Sequence, residues 1–283
     1  MRKKTKHSKK YYWYFTMFFL GIYFSFQYLR HYEGIVSKTY SEFLLNLEFS
    51  DQSILESFEN LDTEQKESKK QKEEKEVEEE VLSPKIYLYN SHPLEKYASN
   101  VSFSFYPNVT MVNSILKGQF ERGGFSTLSE ERSVSDLLNQ NSWNYASSYR
   151  ASRIYLEDTK QKYPTLEYFI DIHRDSLKHS RTTVLLEDKS YATLLFLIGM
   201  ENPKYESNLR FTERIVDKLN SKYPNICKGI MKKRGPGVNG VYNQDFSPNA
   251  ILLEVGGEEN TASEVLNSSL AFAECFMEVL HEG

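Results

Sequence analysis

The most informative run in the C-terminal part of the chain is Tyr-Phe-Ile-Asp-Ile-His-Arg-Asp, residues 168–175. It begins as an aromatic and β-branched run, which predicts a buried strand over residues 168–172. The run ends in charged and imidazole side chains, which are costly in a protein core unless a site satisfies them. Alternation along a strand places Asp171 and His173 on one face, so the carboxylate can orient the imidazole.

Strand-like and helix-like patterns alternate on both sides of this stretch. Strands are predicted at residues 86–89, 194–198 and 250–255, and helices at residues 109–122, 148–162, 209–222 and 261–280. This alternation indicates an α/β domain of three layers, in which helices flank both faces of a mostly parallel sheet. Functional residues in such sheets gather at the carboxyl ends of the strands.

His92 and Glu95 lie just after the first predicted strand, in the sequence Ser-His-Pro-Leu-Glu of residues 91–95. A turn of this length is short enough for both side chains to reach one ion. A surface histidine beside a surface glutamate is the simpler alternative. Two imidazoles and one carboxylate form the ligand set of a catalytic zinc with an open fourth position. We therefore expect His92, Glu95 and His173 to bind zinc.

Glu254 interrupts an otherwise apolar strand, in the sequence Leu-Leu-Glu-Val-Gly-Gly of residues 252–257. A carboxylate at such a position has to be paired, protonated or functional. A catalytic zinc needs an unliganded carboxylate as proton carrier, and we expect Glu254 to have this role. The alternative is that Glu254 caps the helix that follows. The two glycines let the backbone or a substrate come close behind it.

The composition is that of an ordinary globular protein, with 40% hydrophobic residues, 26% charged residues and a net charge of -4. No basic stripe interleaved with aromatic residues occurs in the C-terminal part, so nucleic acid is not an expected partner. The two cysteines, Cys227 and Cys275, form no Cys-x-x-Cys motif. They cannot build a thiolate zinc site alone, and the sequence leaves open whether they pair.

The N-terminal residues predict a membrane anchor. Residues 1–10 form a basic head, and residues 11–29 carry no charge and are rich in aromatic side chains. Nineteen helical residues rise about 28 Å, close to the thickness of a hydrocarbon core. The positive charge before the span predicts a cytoplasmic amino terminus and an extracytoplasmic C-terminal part. A cleaved signal peptide and a buried soluble helix are the alternatives.

A charged linker separates this anchor from the globular domain. Residues 30–84 form a juxtamembrane segment, and nine acidic residues and five lysines lie between Asp62 and Glu80. This segment has almost nothing to bury, so it is either a solvated helix or a disordered tether. Residues 85–283 then form the predicted zinc hydrolase domain, about 199 residues long, which fits a single domain.

Several stretches of this domain resemble one known family. They are residues 89–95, 145–152, 171–176, 196–203, 242–248 and 252–257, read as YNSHPLE, YASSYRAS, DIHRDS, FLIGMENP, YNQDFSP and LLEVGG. Their order and spacing are similar to those of the stage II sporulation protein P family, from residue 85 to about residue 280. The turn Pro93-Leu94 departs from the Thr-rich turn that family members usually have between the first His and the Glu.

The resemblance implies a peptidoglycan hydrolase whose fold is similar to that of zinc N-acetylmuramoyl-L-alanine amidases. It would cleave the amide bond between muramic acid and L-alanine, and it is associated also with endopeptidase activity on the stem peptide. Carried over, His92, Glu95 and His173 hold zinc and Glu254 is the catalytic carboxylate. Peptidoglycan, the cell membrane and other membrane-bound wall-remodelling proteins are the expected partners. Whether the role is sporulation or general wall remodelling stays open.

Further residues are assigned to this chemistry. We expect Arg174 to help zinc stabilise the oxyanion, although a structural ion pair with Asp175 is the simpler alternative. Asn243, Gln244 and Asp245 follow a glycine-rich loop and are expected to line the substrate groove. Two other functions remain open, a zinc carboxypeptidase-like peptidase, which needs an arginine for the terminal carboxylate, and a non-catalytic scaffold that binds the wall.

Overall fold

The computed structural model of the protein describes residues 83–98 and 107–282. In chain order, the strands are β1 (Ile86–Tyr89), β2 (Thr127–Ser129), β3 (Tyr168–Asp175), β4 (Thr183–Leu186), β5 (Lys189–Ala192), β6 (Leu194–Gly199), β7 (Cys227–Lys233) and β8 (Ala250–Gly257). The helices are α1 (Val109–Arg122), α2 (Val134–Gln140), α3 (Ser148–Lys162), α4 (His179–Thr182), α5 (Tyr205–Lys222) and α6 (Ala262–His281).

The main sheet has the strand order β2-β1-β3-β8-β6-β7, and β4 and β5 form a separate antiparallel hairpin. Neighbours in the main sheet run parallel, except that β6 and β8 run antiparallel. The predicted α/β class is thus confirmed as a mixed sheet in which most strand pairs are parallel. Hydrophobic periodicity does not reveal the direction of β6, because a strand buried on both faces is apolar whichever way it runs.

Helices flank the main sheet on both faces. On one face, Leu156 of α3 packs against Tyr87, Tyr89 and Phe169 from the neighbouring strands β1 and β3. On the other face, the ring of Phe272 in α6 lies 6.2 Å from the ring of Phe196 in β6. Alternation therefore divides each strand between two separate apolar layers. The face covered by α3 is the one that carries Asp171 and His173 at the end of β3.

The predicted helices and strands are present, with small shifts at their ends. Helix α1 and helix α3 have the predicted bounds, whereas β3 and β8 extend to Asp175 and Gly257. The missed elements are short or lie near the surface, namely β2, α2, α4, the β4–β5 hairpin and β7. Strand β7 is lysine-rich and partly exposed, so its hydrophobic pattern is weak. Both cysteines, Cys227 and Cys275, are free thiols.

The predicted head at residues 1–10, the anchor at residues 11–29 and nearly all of the segment at residues 30–84 lie outside the described residues. Across residues 83–98 and 107–282, the structure contains no helix that is both long and apolar enough to cross a membrane.

Gly256, near the end of β8, holds the chain in a conformation that a larger residue resists. Its φ is +62°, and an added Cβ would lie 2.7 Å from Asn260 Oδ1 and 2.8 Å from Ala192 Cβ. Asn260 is not free to move, because Oδ1 accepts a hydrogen bond from the Gly257 N–H at 2.7 Å. The close backbone approach that the glycine pair predicts occurs at Gly257, where an added Cβ would lie 2.5 Å from the Leu177 carbonyl oxygen.

We expect Gly256→Ala to lower the free energy of unfolding by about 1–3 kcal/mol, because it combines a positive φ with two close contacts. Urea denaturation of the purified chain measures the loss. Gly118→Ala, in the middle of α1, is the matched control, since its Cβ would lie 3.6 Å from the nearest atom, Arg122 Nη2. The control should be neutral or stabilise by about 0.5–1 kcal/mol. Equal effects of the two substitutions would contradict the assigned strain.

Candidate metal centre

Strands β1, β3 and β8 are parallel neighbours, so their carboxyl ends meet at one edge of the sheet. The turn after β1 carries His92 and Glu95, and the end of β3 carries His173. One nitrogen or oxygen atom from each of these three side chains lies within 4.8 Å of the others. The structure thus brings the three predicted metal ligands together.

The turn after β1 is closed by a hydrogen bond from the Glu95 N–H to the His92 carbonyl oxygen, 3.2 Å long. This closure places His92 Nδ1 3.7 Å from Glu95 Oε1. The other oxygen, Glu95 Oε2, accepts a hydrogen bond from the Arg174 N–H at 3.0 Å and lies 3.4 Å from His173 Nδ1. The Pro93-Leu94 turn therefore places Glu95 between the two histidines.

The donor set fits zinc. Ligand atoms lie about 2.0–2.2 Å from zinc, so donors around one tetrahedral ion are about 3–4 Å apart. The 3.7 Å and 3.4 Å distances that join Glu95 to His92 and His173 are of this size. Three protein ligands also leave a fourth position open, as catalytic zinc requires.

His173 is fixed by groups on the far side of its ring. Its Nε2 lies 3.1 Å from Asp171 Oδ1 and 3.0 Å from Ser91 Oγ. Asp171 is fully buried, and its Oδ1 also accepts a hydrogen bond from the Ser91 N–H at 2.8 Å. A proton on Nε2 that points to Asp171 leaves the lone pair of Nδ1 facing Glu95 and available to a metal. The predicted orienting role of Asp171 is thus matched by the geometry.

The charges of Asp171, Glu95 and His173 strongly affect one another. Burial lowers the pKa of His173, but Asp171 and Glu95 outweigh this effect and raise it to about 10. Burial raises the pKa of Glu95, but hydrogen bonds with His173 and His92 dominate and lower it to about 2. Without a metal, the imidazolium of His173 is therefore the cation that compensates the neighbouring carboxylates at neutral pH.

Glu254 lies on β8 directly beside His173, with which it is in register. Parallel pairing puts the two side chains on the same face of the sheet. Burial, followed by the negative charge of Asp175, raises the pKa of Glu254 to about 7, although His173 opposes the shift. Glu254 is thus a carboxyl group beside the three donor residues, and its proton affinity suits exchange near neutral pH.

Two tyrosines complete the walls of the centre. Tyr145 stacks on His92 with ring centroids 4.8 Å apart, and half of Tyr145 is exposed. Tyr149 contacts both histidines, with centroid distances of 5.3 Å to His92 and 6.3 Å to His173. Burial and the charge of Asp171 raise the pKa of Tyr149, so its phenol stays neutral. Residue-by-residue reasoning missed both, although both lie in the family-like stretch at residues 145–152.

Arg174 contacts the centre through its backbone. Its guanidinium donates from Nε to the Lys96 carbonyl oxygen at 3.1 Å and from Nη1 to the Asp175 carbonyl oxygen at 3.2 Å. It lines a separate cavity, whose described lining contains neither histidine of the metal centre. The guanidinium thus lies beside the centre and binds two backbone carbonyl oxygens. None of these contacts supports the predicted role at an oxyanion.

The three residues predicted to line a substrate groove make polar contacts within the protein. Asn243 Nδ2 donates to the Tyr149 carbonyl oxygen at 2.9 Å. Gln244 is buried and bridges β6, accepting from the Gly199 N–H and donating to the Leu197 carbonyl oxygen. Asp245 pairs with Arg153 through two contacts of 2.8 and 3.0 Å. These contacts fasten the loop to the rest of the domain, and the substrate groove stays a prediction.

Comparisons with known proteins identify relatives of the chain. Residues 27–277 match the family model described as Stage II sporulation protein P. A curated relative, stage II sporulation protein P of Bacillus subtilis (strain 168), is 33% identical over 202 residues, which cover 69% of this chain and 50% of the relative. The chain thus spans about half the length of this relative.

Solved structures give weaker similarities. The CwlD amidase from Clostridioides difficile, in complex with the GerS lipoprotein, is 11% identical with a TM-score of 0.46, covering 70% of this chain and 100% of that chain. The N-acetylmuramoyl-L-alanine amidase AmiC2 of Nostoc punctiforme is 12% identical with a TM-score of 0.39, covering 70% and 96%. Because both scores lie below 0.5, the functional assignment rests on the residues of this chain.

Proposed function

The chain belongs to the stage II sporulation protein P family, and from this premise we propose that it is a zinc-dependent peptidoglycan hydrolase. The bond it cleaves is the amide between muramic acid and the L-alanine of the stem peptide, and endopeptidase cleavage within the stem peptide is a second activity. The observation that carries the proposal is the convergence of His92, Glu95 and His173 on one point, with Glu254 beside it.

His92, Glu95 and His173 hold the zinc in this proposal. A zinc ion there supplies a Lewis acid, which makes water more acidic and a carbonyl carbon more electrophilic. Asp171 and Ser91 keep the His173 ring in place from behind. The Arg174 N–H fixes the Glu95 carboxylate from the side. These contacts preorganise the donor atoms before the ion arrives.

Glu254 moves the proton. Hydrolysis of an amide forms a C–O bond with water, breaks the C–N bond and leaves a proton on the departing nitrogen. The Glu254 carboxylate takes this proton from the attacking water and returns it to the nitrogen as the bond breaks. A pKa raised to about 7 by burial lets one group accept and release a proton near neutral pH.

The N-terminal segments determine the location of the enzyme in this proposal. Residues 11–29 span the cell membrane, with residues 1–10 in the cytoplasm. Residues 30–84 form the juxtamembrane segment and the charged linker, and residues 85–283 form the extracytoplasmic hydrolase domain. A tethered domain of this kind works on peptidoglycan close to the membrane and meets other membrane-bound wall-remodelling proteins there.

Product analysis tests the function. The purified full chain is incubated with peptidoglycan, with zinc or with a chelator, and the released fragments are identified by mass spectrometry. We expect chelator-sensitive release of stem peptides that carry a free L-alanine amino terminus. Release of single C-terminal amino acids would identify a carboxypeptidase instead. No release with zinc present, together with binding of the chain to peptidoglycan, would identify a non-catalytic scaffold.

Zinc binding should displace a proton from the centre. The pKa of His173, raised to about 10 chiefly by Asp171, means that its imidazole is protonated at pH 7.5 in the metal-free chain. Zinc binds only the neutral imidazole, so we expect about one proton to be released per zinc and the affinity to rise about tenfold per pH unit below that pKa. Calorimetric titration in buffers with different ionisation enthalpies measures the proton.

Asp171→Asn is the comparison for this measurement. It removes the charge that most raises the pKa of His173, so less proton should be released per zinc. A wild-type binding enthalpy that is independent of the buffer would contradict the protonated state of His173.

A further inference from the structure

A cavity of about 490 Å³ lies beside the metal centre. We call it the Arg174 pocket; its lining includes Leu94, Lys96, Tyr97, Arg174, Glu258 and Glu259. Leu94 is largely exposed, and the pocket combines this apolar side chain with charged groups of both signs. The proposed mechanism uses none of these side chains, so the pocket calls for a separate explanation.

Arg174 presents a prepared guanidinium to this pocket. Hydrogen bonds from Nε to the Lys96 carbonyl oxygen and from Nη1 to the Asp175 carbonyl oxygen fix its plane. The side chain is only 18% exposed, so little conformational entropy remains to be lost on binding. Nη2 is left for a further acceptor, and a planar guanidinium held this way is suited to a carboxylate.

A weakly held carboxylate already lies near that nitrogen. Glu258 Oε2 is 3.6 Å from Arg174 Nη2, beyond hydrogen-bond distance, and the Glu258 side chain is 68% exposed. Glu259 is different, because its Oε2 accepts a hydrogen bond from the His179 N–H at 2.8 Å. Glu258 is thus a carboxylate that a stronger anionic ligand can displace from Arg174 at small cost.

The pocket adjoins the metal centre through Arg174 and the residues on either side of Glu95. The backbone N–H of Arg174 donates to the metal-ligand carboxylate of Glu95, while the side chain of the same residue lines the pocket. Leu94 and Lys96 flank Glu95 in the chain, and both line the pocket as well. A substrate that reacts at the centre therefore has its neighbouring groups within reach of Arg174.

We propose that the Arg174 pocket is a subsite for a free carboxylate of the stem peptide. This inference rests on the proposed function and adds the part of the substrate that the enzyme recognises. The glycan part offers neutral hydroxyl and N-acetyl groups, whereas the peptide carries carboxylates, so the guanidinium of Arg174 selects the peptide side. Arg174 is then a specificity-determining residue that binds substrate, and its guanidinium has no role at the oxyanion.

The test compares two soluble muropeptides that differ only in whether the peptide carboxylate is free or amidated. The full chain loaded with zinc should cleave the free form with a KM about 10–100-fold lower, since a charge-assisted hydrogen bond contributes about 1.5–3 kcal/mol. Arg174→Gln should raise the KM of the free form to that of the amide, with kcat retained. Arg181→Gln, a change at an exposed arginine, is the matched control and should alter neither value.

A second variant shifts the KM in the opposite direction. Glu258→Gln removes the competing carboxylate, so we expect the KM of the free form to fall and that of the amidated form to stay the same. This result does not depend on whether Arg174→Gln folds. Equal wild-type KM values for the two muropeptides would overturn the proposal. A fall in kcat at constant KM in Arg174→Gln would also overturn it, and would return Arg174 to the oxyanion.

A binding measurement separates this proposal from the proposed function. The Glu254→Gln chain is titrated calorimetrically with the free stem peptide and with its amidated form. Weaker binding of the amidated peptide than of the free peptide supports the pocket even if neither muropeptide is cleaved. The wild type and Arg181→Gln should show the same preference for the free peptide. Equal binding of both peptides refutes the pocket even if the wild type is an active amidase.

Discussion

Glu254→Gln is expected to lower the rate of peptidoglycan cleavage by about 10²–10⁴-fold while zinc remains bound, because it removes the proposed proton carrier and leaves the three proposed metal ligands in place. Glutamine has nearly the same size and shape as glutamate but cannot accept the proton. Glu254 is in register with His173 on the neighbouring strand, so the substitution removes the carboxylate next to the proposed reaction centre. The cluster that could hold a metal does not include Glu254.

The same substitution should not reduce stability. The pKa of Glu254 is raised to about 7 by burial and by Asp175, so the folded state holds this carboxylate less favourably than the unfolded chain does. That cost develops as the pH rises from the ordinary value near 4.5 to about 7, and it is complete above about 7. A neutral glutamine removes the cost, so the unfolding free energy at pH 7.5 should be equal or slightly higher.

Three measurements on Glu254→Gln decide the assignment. Product release is followed by mass spectrometry, bound zinc by elemental analysis and stability by urea denaturation. Glu213→Gln, at an exposed position of α5, is the matched control and should match the wild type in all three. Lysis at the wild-type rate in Glu254→Gln would remove Glu254 from the proton-transfer role. Loss of zinc in this variant would show that Glu254 is a ligand and not the proton carrier.

The sequence carries much of the fold because its strands are short, apolar and separated by clear helical patterns. Helices α1 and α3 and strand β1 have the predicted bounds. The sequence does not specify the direction of β6, because tertiary packing, and not local periodicity, sets the pairing partners. Strand β7 was not predicted for another reason, since an edge strand rich in lysine does not show the apolar pattern of a buried strand.

For the site, chain position at strand ends was the informative signal. His92, Glu95 and His173 each follow or end an apolar strand, and parallel strands bring their ends to one edge. Asp171 could be predicted from alternation, because it lies two residues before His173 on the same face. Tyr145 and Tyr149 could not, since their approach to the histidines depends on how the start of α3 packs over the sheet.

Arg174 shows the limit of inference from chain proximity. It is next to His173 in the sequence, but adjacent residues of a strand point to opposite faces. Its guanidinium therefore lines the neighbouring pocket, and only its N–H reaches Glu95. For Asn243, Gln244 and Asp245 the sequence does not separate two roles, because a polar run after a glycine-rich loop suits both lining a groove and fastening the loop to the sheet.

Glu95→Gln should have the second large effect, which is loss of zinc and with it loss of lysis. Glu95 is the anionic member of the proposed ligand set, and its carboxylate lies between His92 and His173. An amide oxygen of similar shape lacks the negative charge, so we expect zinc affinity to fall by more than the about 10–100-fold typical of changes behind the ligands. Asp171→Asn is such a change and should show that smaller loss. Competition with a chromogenic chelator measures both.

The metal-free chain gives an independent readout for Glu95. Hydrogen bonds with His173 and His92 outweigh burial and lower the pKa of Glu95 to about 2, so its ionised form stabilises the fold. This contribution is at most about 3 kcal/mol above the ordinary pKa near 4.5, and it is lost as the pH falls toward about 2. Glu95→Gln should therefore unfold at lower urea than the wild type at pH 7, with a difference that shrinks below pH 4.5. Unchanged zinc affinity together with unchanged stability would show that Glu95 belongs to neither the metal set nor the charged cluster, and the centre would then lack its anionic ligand.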